Sequence, residues 1–293
     1  MSKYRGDPAE AAISHLLSVH TPSLEPLAPA LALAAGHDVP LLLTGETGTG
    51  KTSLARLIHD YSPRRRHRFC ALSCGALAAS LVESELFGHV KGAFTGADRA
   101  QLGRFAAAGE GTLLLDEIDT LSLEQQTKLL RVIETGEFEP VGSNKTYHCR
   151  ARLMAACNGD LELAVEEGKF RRDLYYRLNV LAFHLPPLRE RAQDIAPLAR
   201  ALLYRCNQKF GKAVVHIHPE ALATLQACSW PGNIRQLENV IQRAALASSG
   251  PELLPRHLPD ALTPDAQLRQ RAAVGRPGRA VVPARELYNG ASN

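Results

Sequence analysis

The sequence predicts an α/β protein with a mainly parallel sheet, followed by a smaller region made of helices alone. Short apolar runs bounded by turn residues recur before Leu185, and helical patterns such as Leu123–Glu134 separate them. Strands that alternate with helices are typical of a parallel sheet. After LPPLRER (Leu185–Arg191) the strand patterns stop, and only helical patterns follow as far as Leu262.

The candidate strands are short and apolar. The first, VPLLL, precedes a glycine-rich turn and an amphipathic helix. A continuous apolar run of this length between turn residues is typical of a buried strand. The other candidates are Phe69–Leu72, Thr112–Leu115, Leu153–Cys157 and Val180–Leu185.

The chain divides into four parts where its composition changes. Residues 1–26 mix polar residues with Pro22 and Pro26, so we expect a loosely attached N-terminal arm. Residues 27–187 contain the strands and form an α/β subdomain, which a double proline separates from a helical lid subdomain at 188–262. Residues 263–293 are rich in Pro, Gly, Ala and Arg without periodicity, so we expect a disordered tail.

The bulk composition excludes several classes of protein. The chain has 45% hydrophobic and 22% charged residues, as an ordinary globular protein does. Its formal net charge of +4 is too small to indicate nucleic-acid binding by itself. MSKYRGDPAEAA has no apolar core of a signal peptide, and no later run is long and apolar enough to span a bilayer. We therefore expect a cytoplasmic enzyme or regulator without a membrane segment.

Six cysteines are scattered along a chain that shows no export signal, which favours free thiols over disulfides. Cys70 and Cys74, with His67 upstream, could also belong to a metal site. Their spacing differs from that of a short metal knuckle, and no second pair completes four ligands. RFCALSC is therefore better interpreted as a buried strand.

The segment GETGTGKT has the spacing of a phosphate-binding loop, and it stands after a strand and before a helix. Backbone N–H groups of such a loop and the N-terminus of the helix cradle phosphate oxygens. Lys51 is then placed to reach the β- and γ-phosphates of ATP, and the Thr52 hydroxyl to bind Mg²⁺. The predicted nucleotide-binding residues of the loop are Gly45, Glu46, Thr47, Gly48, Thr49, Gly50, Lys51 and Thr52.

The segment GTLLLDEID supplies an acidic partner for this loop. The apolar run Leu113–Leu115 ends in Asp116 and Glu117. Asp116 is predicted to hold Mg²⁺ together with Thr52, and Glu117 to polarise the attacking water. An Asp-Glu pair is weakly specific alone, but downstream of a phosphate loop it indicates hydrolysis rather than binding alone.

The segment KFRRDLYYRLNV offers Arg171, Arg172 and Arg177 to neutralise charge as the γ-phosphate leaves. A solvated helix face explains the same three arginines equally well. The residues themselves do not decide between these two interpretations.

Together these segments resemble the sigma-54-interacting AAA+ domain of bacterial enhancer-binding transcription activators. The resemblance runs from about Leu27 to Leu262 and rests on GETGTGKT, ESELFGHVKGAFTGA, GTLLLDEID, FRRDLYYRLNV, LPPLRER and WPGNIRQLEN. The run GAFTGA matches the family signature letter for letter, and other AAA+ branches lack it. The resemblance implies a P-loop AAA+ ATPase with a mainly parallel sheet core and a smaller α-helical lid.

The resemblance also gives the GAFTGA loop a partner. In the family this loop rises from the ring surface when nucleotide is bound and contacts sigma-54 with its Phe and Thr. Flanking glycines allow such a change of conformation, and Phe94 supplies apolar contact area; packing of Phe94 into the domain's own core is the alternative. The segment Glu134–His148 resembles the second loop of the family, a hairpin that supports the first. The matching partner-binding positions are Gly92, Ala93, Phe94, Thr95, Gly96 and Ala97.

Further roles follow from the resemblance by position. Arg171 and Arg177 match the arginine fingers that act on the ATP of a neighbouring subunit, which implies a hexameric ring. Asn158 lies in the sensor I segment, and Arg235 matches the sensor II arginine that ties the lid to the nucleotide. The implied cofactors are ATP and Mg²⁺, and the implied partners are sigma-54, the RNA polymerase holoenzyme and further copies of the chain.

Two positions depart from the family pattern. Ser73 stands where the family usually has an Asn that holds the catalytic glutamate, and its shorter side chain makes direct contact with Glu117 doubtful. Cys157 replaces a Thr of sensor I and exchanges a good hydrogen-bonding hydroxyl for a weak thiol. We expect slower or less tightly coupled hydrolysis, not its loss.

DNA binding is left open by the sequence. From the sequence we expect no receiver or ligand-sensing domain before the AAA+ segment and no helix-turn-helix after it. Arginines of the tail would make weak, salt-sensitive contacts with DNA phosphates, but a solvated tail is the better interpretation. These arginines are Arg269, Arg271, Arg276, Arg279 and Arg285.

Three functional hypotheses follow. The leading one is an ATP-driven activator that remodels the closed promoter complex of sigma-54 RNA polymerase. The alternative is a non-catalytic sigma-54-binding or mixed-ring regulatory protein, which Ser73 and Cys157 favour and the intact Lys51, Asp116 and Glu117 disfavour. A general AAA+ unfoldase or helicase loader is disfavoured by the GAFTGA run.

Overall fold

A parallel sheet of five strands is the centre of the computed structural model, which describes residues 8–259 and only the backbone of residues 79 and 80. The strands in chain order are β1 (Leu41–Thr44), β2 (Phe69–Ser73), β3 (Gly88–His89), β4 (Gln101–Leu102), β5 (Thr112–Asp116), β6 (Glu137–Phe138), β7 (Tyr147–His148), β8 (Arg152–Cys157), β9 (Leu181–His184), β10 (His216–Ile217) and β11 (Glu252–Leu253). The order across the sheet is β2-β5-β8-β1-β9, and each neighbouring pair is parallel.

Helices connect these strands and continue alone toward the C-terminus. They are α1 (Pro8–His20), α2 (Ala28–Gly36), α3 (Lys51–Asp60), α4 (Ala79–Phe87), α5 (Arg104–Ala107), α6 (Leu123–Thr135), α7 (Leu161–Glu166), α8 (Arg172–Leu178), α9 (Ile195–Phe210), α10 (Pro219–Ala227) and α11 (Asn233–Ala247). The fold class is therefore as the sequence predicts: a parallel α/β sheet followed by a bundle of helices.

Successive residues of each central strand face opposite sides of the sheet. In β5, Leu113 and Leu115 pack with α4, α6 and α8 on one side, and Leu114 packs with α1, α2 and α3 on the other. The inner strands are covered on both sides, which explains why their sequences are continuous apolar runs. At the edges, β2 and β9 are more exposed.

The N-terminal segment differs from its prediction. The sequence indicated a loosely attached arm over residues 1–26, but α1 is an ordered helix whose Ile13 and Leu17 are buried beside α2 and the sheet. Ile13 and Leu17 lie one turn apart on the same face, so this short helix has an apolar stripe that two nearby prolines obscured. The prediction of a loose arm is thus wrong for residues 8–26.

The helical region has a core of its own. Helices α9, α10 and α11 enclose a separate apolar cluster around Trp230, whose indole N–H donates to the Leu225 carbonyl. The subdomain boundaries at 26/27, 187/188 and 262/263 stay predictions. The predicted disordered tail, residues 263–293, lies outside the described residues.

All six cysteines are free thiols, as expected. RFCALSC contributes a strand, β2, as predicted, but the strand lies at the edge of the sheet and is only half-buried, so the prediction of a buried strand is wrong in that respect. Over residues 8–259, no helix has the length and apolar character needed to cross a membrane.

Candidate functional site

The phosphate loop lies at the carboxyl end of β1 and opens α3, as its spacing predicts. The Lys51 side chain is 5% exposed, and its Nζ donates to the Gly45 carbonyl (2.6 Å), the Glu46 carbonyl (3.0 Å) and Asn158 Oδ1 (2.7 Å). Burial lowers the pKa of Lys51, against the opposing effect of nearby carboxylates such as Asp116. A buried ammonium group whose hydrogen-bond acceptors are neutral oxygens fits an anionic phosphate ligand.

The acidic pair lies at the end of β5, which β8 separates from β1 in the sheet. Thr52 Oγ1 is 3.4 Å from Asp116 Oδ2, and the backbone N–H of Glu117 donates to Asp116 Oδ1 (3.0 Å). A hydroxyl beside a carboxylate at the phosphate end of a P-loop is the oxygen ligand set that Mg²⁺ prefers. Thr52 and Asp116 therefore fit the predicted metal role.

Glu117 is held from two sides. Its Oε2 accepts a hydrogen bond from Ser73 Oγ (2.6 Å), and its Oε1 accepts one from Asn158 Nδ2 (3.3 Å). Because Asn158 also accepts from Lys51, one hydrogen-bonded row runs from the lysine through the asparagine and the glutamate to the serine. The row places Glu117, the candidate general base, close to Lys51, the candidate phosphate-binding residue.

The Ser73 contact corrects an expectation from the sequence, which made direct contact with Glu117 doubtful. Ser73 is the last residue of β2 and lies in register with Asp116, so its backbone lies opposite the residue that precedes Glu117. Glu117 has a left-handed backbone, φ 59°, which turns its side chain back toward β2. A side chain at Gly75 would have its Cβ 2.5 Å from Glu117 Oε2, so the space for this carboxylate depends on that glycine.

Cys157, the second departure, does not disturb this row. Its Sγ donates to the Gly159 carbonyl at 3.4 Å, while burial and the carboxylate of Asp119 raise its pKa to about 12. Cys157 is therefore a neutral thiol that packs in the core, and its neighbour Asn158 still reaches Lys51.

The lid contacts the phosphate loop through residues that the sequence did not single out. The Asn233 side chain is fully buried; it accepts from Leu188 N–H (2.7 Å) and donates to Glu46 Oε2 (3.1 Å) and the Thr47 carbonyl (3.0 Å). Arg189 forms two hydrogen bonds to the Glu46 carboxylate, at 3.0 and 2.7 Å. These contacts to Arg189 and Asn233 lower the pKa of Glu46 to about 2.

Glu46 and Arg235 both sit at this junction. The Glu46 side chain is directed to the lid, so only the backbone of Glu46 can contribute to nucleotide binding in the way that the sequence predicts. Arg235, the predicted sensor II residue, lies beside the loop: a Cβ on Gly48 would be 3.1 Å from the Arg235 Cβ. The Ile234 N–H donates to the Gly48 carbonyl at 2.9 Å. Asn233 has a positive φ at the end of the Trp-Pro-Gly-Asn turn. The turn residues of this segment are the only feature of the sequence that could have suggested Asn233.

The predicted arginine fingers lie away from this site. Arg171 pairs with Asp173 and donates to Thr127 of α6, and Arg177 pairs with Glu134. Neither hydrogen-bonds a residue of the phosphate loop or the acidic pair within this chain. Their predicted action on a neighbouring subunit stays a prediction.

The GAFTGA residues form a tight turn between the short antiparallel strands β3 and β4. Gly92 N–H donates to the Ala97 carbonyl (2.8 Å), and Ala97 N–H donates to the Phe94 carbonyl (3.0 Å). Gly92 and Gly96 have φ values of 80° and 97°, which a residue with a side chain adopts only at a cost.

Phe94 is 40% exposed at this turn, so the alternative that packs it into the core is wrong. Its ring meets the buried His89 ring edge-on, with centroids 5.0 Å apart. The second predicted loop is a hairpin, β6–β7, as expected. Val141 in that loop exchanges backbone hydrogen bonds with Val90 and Gly88 beside the first loop, at 3.1 and 2.8 Å.

Known proteins resemble this chain in sequence. The chain is 47% identical over 242 residues to the formate hydrogenlyase transcriptional activator FhlA of Escherichia coli K12, which covers 83% of this chain and 35% of that protein. It is 54% identical over 208 residues to the Nif-specific regulatory protein of Azospirillum brasilense, over 71% of this chain and 33% of that protein. The chain spans about a third of the length of these relatives.

Solved structures agree with the fold. NtrX from Brucella abortus in complex with ATP has a TM-score of 0.75 to this chain at 32% identity, over 83% of this chain and 54% of that chain. Its complex with ADP has a TM-score of 0.76 at 29% identity, over 89% and 61% of the two chains.

Two family models divide the chain between them. A model described as an AAA+ ATPase lid domain matches residues 189–274. A model described as the sigma-54 interaction domain matches residues 17–184, which is more than half of the chain. The chain therefore belongs to the sigma-54 interaction domain family of AAA+ P-loop proteins.

Proposed function

We propose that the protein hydrolyses ATP to ADP and phosphate and uses this cycle to remodel the closed promoter complex of sigma-54 RNA polymerase, so that transcription can begin. The observation that carries the proposal is the hydrogen-bonded row from Lys51 through Asn158 and Glu117 to Ser73. A chain that only bound nucleotide would have no use for a carboxylate held in this way beside the phosphate loop.

Each residue of the site has a part in hydrolysis. Lys51 and the loop backbone bind the phosphates, while Thr52 and Asp116 would hold Mg²⁺, which would supply positive charge to offset that of the phosphates. Glu117 orients the attacking water and accepts its proton. Asn158 and Ser73 fix the glutamate, and Arg235 brings the lid to the nucleotide.

The arginine fingers complete the site from a second copy of the chain. Arg171 and Arg177 have side chains exposed by 37% and 60%, on a surface that another subunit can reach. Their guanidinium groups would stabilise the charge that develops on the γ-phosphate of that subunit. This arrangement requires a ring, and we propose a hexamer.

The GAFTGA loop, Gly92–Ala97, is the proposed contact with sigma-54. An exposed phenylalanine on a surface turn held by backbone hydrogen bonds supports this role, because Phe94 is free to contact a partner and most of the turn is exposed. Release of the γ-phosphate would remove one set of contacts at the site and so switch the loop between two arrangements.

A binding assay with a transition-state mimic tests the proposal. We expect the purified chain to bind sigma-54 in a gel shift with ADP and aluminium fluoride, which stands in for the planar γ-phosphoryl group, and not with ADP alone. The same preparation should turn over ATP, and Glu117→Ala should abolish turnover. Binding that is independent of nucleotide, without turnover, would instead indicate a non-catalytic regulator; no sigma-54 binding in any state would overturn the proposed partner.

A further inference from the structure

A row of polar groups joins the N-terminal segment to the backbone of the phosphate loop. Ser23 lies in the 3-10 turn Pro22–Leu27, between α1 and α2. Its backbone N–H donates to Asp194 Oδ1 (2.9 Å) and its hydroxyl donates to Asp194 Oδ2 (2.5 Å). Asp194 immediately precedes helix α9 of the lid, so this contact connects two segments that are 171 residues apart.

Arg191 extends the row to the phosphate loop. Its Nη2 donates to the Thr49 carbonyl (2.6 Å), two residues before Lys51. Its Nη1 lies 3.7 Å from Asp194 Oδ2, which is beyond hydrogen-bonding distance. Thr49 is itself buried, and its hydroxyl closes the loop by donating to the Glu46 carbonyl.

The ion pair at the centre of the row is buried and incomplete. Asp194 is fully buried and Arg191 is 2% exposed. Among the described residues, Arg191 Nε and Nη1 have no hydrogen-bond partner. Buried donors without partners are costly, and a buried guanidinium normally takes both oxygens of its carboxylate. Here the Ser23 hydroxyl occupies the one oxygen, Oδ2, that lies nearest to Arg191.

Ser23 holds the Asp194 carboxylate in one orientation, with its N–H on Oδ1 and its hydroxyl on Oδ2. In this orientation Oδ2 stays 3.7 Å from Arg191 Nη1, and the guanidinium stays on the Thr49 carbonyl. If the hydroxyl were absent, the carboxylate would be free to turn toward Nη1, and closing this charge-assisted hydrogen bond would draw the guanidinium away from Thr49. The loop would then lose a buried anchor next to the residues that cradle phosphate.

We propose that Ser23 is a positioning residue for nucleotide binding, which acts through Asp194 and Arg191 on the Thr49 carbonyl of the phosphate loop. The turn Pro22–Leu27 thereby becomes a point at which a movement of the N-terminal segment changes nucleotide affinity. The inference rests on the proposed function only in requiring that the loop binds nucleotide; it is independent of hydrolysis, of ring formation and of sigma-54.

Titration of the full chain with a fluorescent ADP analogue tests this role. Ser23→Ala removes the hydroxyl, and we expect the dissociation constant to rise about three- to tenfold, as the loss of one buried hydrogen bond produces. Ser23→Thr keeps the hydroxyl and should restore the affinity of the unchanged chain. Ser18→Ala is the matched control, because the Ser18 hydroxyl bonds to His15 within α1, and it should have no effect.

Thermal unfolding of the same variants separates positioning from stability. A merely structural role would lower the unfolding midpoint of Ser23→Ala and leave the affinity unchanged, which would overturn the inference. Equal affinities for Ser23→Ala and Ser18→Ala, or no rescue by threonine, would overturn it as well. If the unchanged chain bound no ADP analogue at all, both this inference and the proposed ATPase would fall, whereas normal binding by all variants would leave the ATPase untouched.

Discussion

The nucleotide site and the GAFTGA loop are built in opposite ways. Around the phosphate loop, polar side chains from α3, from the segments after β5 and β8 and from the lid are buried or half-buried and bonded to each other. Lys51, Glu117 and Asn233 each have two or more partners. The GAFTGA turn lies at the surface, and backbone hydrogen bonds together with one ring contact of Phe94 hold it.

This difference separates the part that must be rigid from the part that must move. Catalysis needs groups fixed to within a fraction of an ångström, which buried, fully bonded side chains provide. A contact that follows the nucleotide state needs a segment with few local bonds. Substitutions at the first region should therefore alter turnover, and substitutions at the second should alter partner binding without altering turnover.

The largest effect is expected at Glu117. Glu117→Gln keeps the size of the side chain and one acceptor oxygen for Asn158 but removes the base, so kcat for ATP hydrolysis should fall about 10²- to 10⁴-fold. Nucleotide affinity should stay within about twofold, since the glutamate does not contact the phosphate loop. Steady-state phosphate release measures the first quantity and equilibrium titration the second; a kcat near that of the unchanged chain would show that another group is the base.

Gly75→Ala should have the next largest effect. The new Cβ would lie 2.5 Å from Glu117 Oε2, and the flexible carboxylate would be displaced by about 1 Å. We expect a fall in kcat of about 100-fold with little change in the unfolding midpoint. Gly36→Ala is the control, because nothing lies within 4 Å of a Cβ there; equal kcat values for the two variants would show that Glu117 is not held as described.

Phe94→Ala tests the role of the GAFTGA turn. Loss of an exposed aromatic anchor should weaken binding to sigma-54 about 30-fold in the aluminium fluoride state. Turnover of ATP in the absence of sigma-54 should stay within about twofold, because the ring contacts His89 and not the nucleotide site. Leu102→Ala, at a nearby exposed apolar residue outside the turn, is the control. A large loss of turnover in Phe94→Ala would contradict the separation of the two regions.

Ser73→Ala should have the smallest effect. It removes one of two hydrogen bonds to Glu117, and Asn158 still holds the other carboxylate oxygen. We expect kcat to fall about three- to tenfold with nucleotide affinity unchanged. Ser53→Ala on α3, a serine outside this row, serves as the control. A change no larger than that of the control would restore the sequence-based interpretation, in which Ser73 does not act on the glutamate.

The sequence predicted the parts of the site that lie on contiguous motifs. Lys51 and Thr52 begin the helix after β1, and Asp116 and Glu117 stand at the end of β5, so their common place at the carboxyl end of the sheet could be expected from the fold class. The hydrogen bond from Ser73 to Glu117 could not be expected, because it depends on a left-handed φ at the glutamate, which the sequence pattern does not reveal.

Contacts between segments that are distant in the chain could not be predicted from the sequence either. Asn233 and Arg189 meet Glu46 across 187 and 143 residues, and Ser23 meets Asp194 across 171. Each pair forms only because the lid folds back on the phosphate loop, and nothing local marks its members. For the same reason α1 was expected to be loose: the surface that buries Ile13 and Leu17 is supplied by α2 and the sheet.

Promoter opening tests the central claim most directly. Purified chain would be mixed with sigma-54 RNA polymerase holoenzyme on a supercoiled sigma-54 promoter, and heparin-resistant open complexes would be counted over time. The account predicts that open complexes form with ATP, and that they do not form with a non-hydrolysable analogue or with the Glu117→Gln variant. Open complexes that form equally well without hydrolysis, or none with ATP from a chain that hydrolyses it and binds sigma-54, would contradict the account.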